Sequence, residues 1–226
     1  MFLKKDQIKK VLDIVAGSHP ADKVLLDMKD FFKTEFSLEI IDYICDRANR
    51  GAFQGSLRVR FVVWDVSEKR NSRYDFDNDM TIEERIKHKF SEVCKEHQLN
   101  EQYSDPLNYY VVITDLRSDL ACHLIENKQK TLTSILETYP EVKKYNFAFG
   151  EVQVFYTEDK DIEIYRANGL SQEIVSKIQQ SVGSITGLEN KNIIGVVFSS
   201  IQTFNEKYFG DDYAVYMNGL DGDRMF

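Results

Sequence analysis

Asp75, Asp77 and Asp79 alternate just ahead of a helical pattern. Carboxylate oxygens at that spacing can converge on a hard cation, as they do in calcium loops. Such a loop opened at Asp75 also needs glycine at position 80 and glutamate at position 86, where the chain has Met80 and Ile86. The plainer account is an exposed acidic loop whose last carboxylates favour the N-terminal pole of the following helix dipole. Arg47 and Arg50, with Gly51 and Gly55, precede a strand carrying Arg58 and Arg60, the only compact basic cluster in the chain. Guanidinium forks beside flexible backbone can hold a phosphate or a carboxylate, and the competing account is a solvated hairpin.

Two thiols lie near histidines. Cys94 and His97 are three residues apart on one expected helix and share a face. Zinc would need ligands from elsewhere, and Phe90, Val93 and Cys94 form a stripe that ordinary packing explains. Cys122 and His123 open another expected helix, whose N-terminus could activate a thiolate. Adjacent helical side chains point about 100° apart, so His123 is poorly placed as the base.

The last candidate is the C-terminal stretch, where Tyr208, Tyr213 and Tyr216 accompany Asp211 and Asp212. Tyrosine offers a large contact area at low entropic cost, and carboxylates suit an Arg- or Lys-rich partner. Net charge points the same way. Residues 1–100 carry 18 basic and 18 acidic side chains, whereas residues 101–226 carry 11 and 19, which accounts for the whole net charge of −8. Phosphate backbones would be repelled by that half, so nucleic acid is not an expected partner.

At 226 residues, 42% hydrophobic and 12% aromatic, the chain can build a core without disulfides. No apolar run reaches membrane-spanning length, and Lys4, Lys5, Lys9 and Lys10 are not followed by a signal-type apolar segment. Cys45, Cys94 and Cys122 are odd in number and unpaired by spacing, which favours a reducing compartment and a cytoplasmic location. Phosphate-binding glycine loops, nucleophile elbows and metalloprotease motifs are missing, and no cofactor is expected.

The elements that must position these groups follow from periodicity. Ile8, Val11, Leu12 and Val15, then Val24, Leu25, Met28, Phe31 and Phe32, predict a helical hairpin over 4–16 and 21–33. Alternation predicts strands from Phe36 to about Cys45 and from Leu57 to Trp64. A polar loop at 67–79 is expected to precede a helix capped by Thr81 and Glu84, followed by a strand at 109–114 and a helix over 120–139. Phe147–Tyr156 and Ile162–Arg166 read as a β-hairpin across the acidic turn at 158–161, with a bulge at Gly150. A helix capped by Ser171, a strand at 193–199, a short helix at 201–209 and a strand at 213–217 complete the pattern. The expectation is an α+β fold with a mixed or mainly antiparallel sheet, helices packed on it and a helical hairpin in front. Residues 1–226 are expected to form one domain, with subdomain boundaries conceivable near 67–80 or 98–106.

Two functions are compatible with these residues. The first is a non-catalytic protein that binds a basic protein through the acidic, tyrosine-rich surface of Tyr208, Asp211, Asp212, Tyr213 and Tyr216, as an inhibitor or immunity protein would. The second is a metal-assisted hydrolase built on the carboxylates of Asp75, Asp77 and Asp79.

Overall fold

A computed structural model describes residues 3–48, 53–64, 80–183, 185–189 and 191–225. The chain forms two compact units, Met1–Leu116 with Thr186–Leu188, and Arg117–Ile185 with Glu189–Phe226. The acidic loop expected at 67–79 lies outside the described residues. Among those residues, no helix is long and apolar enough to cross a membrane.

The first unit begins with two helices, α1 (Lys5–Val15) and α2 (Lys23–Phe36). Asp22 caps α2, its side chain accepting a bond from the Leu25 backbone N–H at 2.7 Å. Val24, Leu25, Met28, Phe32 and Phe36 are the buried stripe of α2. The helix therefore runs past residue 33: Phe36 belongs to the helical period and meets the Phe32 ring at 5.6 Å. Ser37, in the left-handed region, then ends it, and the strand expected from Phe36 starts only at Ile40.

Strands β1 (Ile40–Arg47) and β2 (Leu57–Val63) pair antiparallel, and β3 (Tyr109–Asp115) lies parallel to β2. A parallel neighbour needs a crossover, which α3 (Met80–Glu96) supplies. The helix already includes Thr81, which therefore lies in its first turn and not at the cap. One sheet face packs Tyr43, Val59, Phe61 and Val63 against Met28 and Phe32 of α2 and Phe90 of α3. Phe90 meets the rings of Phe61 at 5.6 Å and Tyr109 at 5.9 Å, both edge-on.

The second unit takes in α4 (Leu116–Leu136) from Arg117 onward, followed by the hairpin β4 (Lys144–Ala148) and β5 (Glu151–Tyr156). Helices α5 (Asp159–Ala167) and α6 (Leu170–Val182) then cross to β6 (Gly195–Ser200), which lies parallel to β5. Last come α7 (Ile201–Tyr208), α8 (Asp212–Asn218) and β7 (Asp223–Met225), antiparallel to β6. The fold is thus α+β, and the described residues form two mixed sheets, of three and four strands.

Several local expectations are corrected here. The hairpin turn is Phe149-Gly150, not residues 158–161, and Ala148 pairs with Glu151 across it. Both turn residues have positive φ, 55° and 75°, as a two-residue type I′ turn requires. The bulge expected at Gly150 is this turn. Gly150 is further required because a Cβ there would lie 3.0 Å from Ser118 O and from Ala121 Cβ. Residues 159–167 are helical because Glu158 and Asp161 form a capping box and Asp159 and Asp161 sit in the first turn.

Ser171 is not a cap. Gly169 occupies the N-cap of α6, and the buried Ser171 hydroxyl shares a 3.0 Å hydrogen bond with Tyr156. Residues 213–217 are not a strand: Asp211 caps α8 by accepting from the Tyr213 N–H at 2.8 Å, and Val215 alone is buried.

Gly222 enters β7 where a Cβ would stand 2.3 Å from Phe198 O. The Phe198 carbonyl is strand backbone and cannot yield as the end of a flexible side chain would. Gly222→Ala is expected to destabilise the second unit by about 1–3 kcal/mol, as overpacking does; a melting temperature equal to wild type would contradict this packing.

Candidate functional site

The polar residues singled out above meet different fates. Asp75, Asp77, Asp79 and Arg50 lie outside the described residues. Arg47 donates through Nη1 to Gly55 O at 2.8 Å, closing the β1–β2 connection on itself. Arg58 and Arg60 are buried, and both reach Asp46, Arg58 through Nε at 2.8 Å and Nη2 at 2.9 Å and Arg60 at 3.2 Å. A further bond from Gln7 at 3.3 Å completes the carboxylate. These two buried guanidiniums thus share a single carboxylate and are turned inward, away from an external anion.

The thiols are quiet. Burial pushes Cys94 up to about 12, and its side chain is fully enclosed beside Phe90. Cys122 stands in the second turn of α4, not at its start, and is pushed up to about 11 by burial, with Asp119 and Glu126 adding to the effect. His123 instead shares a 3.0 Å contact with Asn127. At about pH 7.5 native Cys122 should react with a disulfide reagent about a hundredfold more slowly than in the unfolded chain, since the thiolate is the nucleophile. Equal rates would contradict that environment.

The tyrosine-rich end is divided between core and surface. Tyr208 is only 1% exposed and packs with Phe155, Val197, Phe204 and Val215. Its hydroxyl donates to Gly219 O and accepts from the Asp221 N–H, each at 2.8 Å, so it fastens the C-terminal end of α8 and offers no contact surface. Tyr213 and Tyr216, one helical turn apart, are 66% and 57% exposed. Their rings stack at 6.1 Å and 17°. Phe149, at the tip of the β4–β5 turn and 47% exposed, stacks on Tyr216 at 4.9 Å and 27°. Exposed Met217 adjoins Tyr216 in the chain.

The helix bearing this ladder is held from below and from one end. Val215 anchors it in the core. Asp212 pairs with Lys144 at 2.7 Å and accepts from Asn146 Nδ2 at 2.7 Å, two residues on the same face of β4. The Lys144 bond, together with that from Asn146, holds the Asp212 carboxyl below its ordinary range despite partial burial. The Lys144 ammonium also lies 3.8 Å from the centre of the Phe204 ring. Asp211 and Asp212 are thus committed to positioning α8, and the exposed chemistry of this surface is aromatic.

Phe149 was not among the sequence candidates. An aromatic residue in the left-handed region is unfavourable, and the first position of such a turn ordinarily takes Asn, Asp or Gly. The signal was available as a Phe-Gly pair between two β-rich runs. Its ring is nevertheless left half in solvent and stacked on Tyr216.

The chain matches no family model, no curated protein and no solved structure.

Proposed function

We propose that the protein is a non-catalytic interaction protein whose ladder of Phe149, Tyr216 and Tyr213 receives Arg or Lys side chains of a basic protein partner. The observation that carries this reading is the run of three stacked, solvent-exposed rings, two on a helix anchored through Val215 and Asp212 and one on the neighbouring β4–β5 turn. Aromatic faces attract cations, Arg above all, by about 0.5–2 kcal/mol per contact. Three aligned rings offer several such faces with little side-chain entropy to lose. The surrounding unit carries 11 basic and 16 acidic side chains, a balance that speeds encounter with a positively charged protein. Inhibition of a basic, nucleic-acid-acting enzyme is a role that this chemistry would serve.

Reversing the charge of Asp211 or Asp212 would loosen the N-terminus of α8 as well as alter the surface, so the rings are the better targets. Titration with a deca-arginine peptide, followed by calorimetry, should show binding that weakens by about thirtyfold in a Tyr213→Ala/Tyr216→Ala protein, a loss of about 2 kcal/mol. Equal affinity in the two proteins would refute the aromatic mechanism.

A further inference from the structure

In the first unit, Asp27 on α2, Glu96 at the end of α3 and His97 just beyond it bring one imidazole nitrogen and two carboxylate oxygens within 4.8 Å of one another. We propose that these three side chains bind a divalent transition metal ion of the zinc class and so link α2 to the end of α3.

The donor set selects the ion. Imidazole with carboxylates suits zinc and its neighbours in the first transition row, whereas magnesium prefers oxygen alone and keeps its water. Three protein ligands with a fourth position left to water is the composition of an open zinc site. Zinc holds such atoms at about 2.0–2.1 Å, which places tetrahedral ligands about 3.3 Å apart. Asp27 Oδ2 and His97 Nε2 are hydrogen-bonded at 2.6 Å, so zinc must displace the proton between them to solvent, leaving the imidazole protonated at Nδ1, and open the pair by less than about 1 Å.

Charge and surroundings agree with the donors. Two carboxylates and a neutral imidazole carry two negative charges, which a divalent cation cancels. The site sits at the C-terminal, negative pole of α3, where Gln98, with φ 51°, turns the chain and Leu99 N–H closes the helix on Cys94 O at 2.9 Å. Glu96 is exposed, and its side chain makes no hydrogen bond or ion pair among the described residues. A cavity of about 400 Å³ lined by Glu96, His97, Gln98 and Lys23 leaves room for water at the remaining position. The Lys23 charge is carried on an exposed, flexible stem.

The test uses the full chain, with zinc, cobalt and magnesium chlorides as probes. Zinc in hundredfold excess over its dissociation constant should raise the melting temperature by at least about 4 °C, as ligand linkage requires. Cobalt should give the visible absorption of a four- or five-coordinate ion, and magnesium should do neither. His97→Ala should abolish the cobalt spectrum, and Glu96→Gln should weaken zinc binding by at least about tenfold. Glu96→Gln keeps the test sound if His97→Ala fails to fold, because Glu96 has no structural partner to lose. No zinc binding, a response to magnesium equal to that to zinc, or unchanged affinity in Glu96→Gln would each overturn the assignment.

Discussion

Replacing Asp46 with alanine is expected to lower stability by about 3–5 kcal/mol, the cost of stranding buried charge. The side chain of Asp46 is 15% exposed, and those of Arg58 and Arg60 are 3% exposed each. In the β1–β2 register Asp46 stands directly opposite Arg58, and its carboxylate takes both arms of that guanidinium as well as Arg60. Burial by itself would raise the Asp46 pKa. The Arg58 hydrogen bonds and the charges of Arg60 and Arg58 outweigh burial and hold it below the ordinary carboxylate value. A carboxyl depressed in the folded state contributes stability that is present above its unfolded pKa of about 4 and is lost as pH falls through the lower folded value. Melting curves should therefore show a wide gap between wild type and Asp46→Ala near neutrality that narrows below about pH 4. A gap of under about 1 kcal/mol near neutrality, the scale of an exposed pair, would mean that the three charges are solvated.

Phe149→Asn is expected to separate stability from binding. Asparagine tolerates the left-handed conformation of the turn, relieving about 1–2 kcal/mol of backbone strain. Loss of the stack on Tyr216 removes about 0.5–1.5 kcal/mol. The two effects nearly cancel, so the melting temperature should match or exceed that of wild type. Affinity for an arginine-rich peptide should fall by about tenfold or more, since one end ring of the ladder is gone. A variant that binds as well as wild type would assign Phe149 to the fold alone; one that melts well below it would show that the stack outweighs the strain.

These residues also show what the sequence could reveal. Buried periodicity was plain in α2 and α3, and the β-branched runs of β2, β3 and β6 were unmistakable, because each carries many core side chains in phase. Short elements at the surface were not. In α8 only Val215 is buried, so the alternation of Tyr213, Val215 and Met217 imitated a strand, and the Asp211 cap was the truer signal. In α5, Ile162 and Ile164 imitated a strand in the same way, while Glu158 and Asp161 carried the helical start.

The surroundings of the candidate residues were hidden for related reasons. Arg58 and Arg60 read as a basic cluster because their counter-charge, Asp46, comes from a neighbouring strand whose register the sequence does not display. Tyr208 and Tyr213 are five residues apart, yet one is interior and the other exposed, since Gly210 and the Asp211 cap redirect the chain between α7 and α8. Asp27 and His97 are seventy residues apart and meet only once α2 and α3 have packed.

The claim that the aromatic ladder is the contact surface is tested most directly by aromatic nuclear magnetic resonance during titration with deca-arginine. The account predicts that the ring signals of Phe149, Tyr213 and Tyr216 shift together and saturate at one concentration, while those of buried Tyr208 and Phe90 stay in place. Shifts spread over the acidic surface with the three rings unmoved would contradict it.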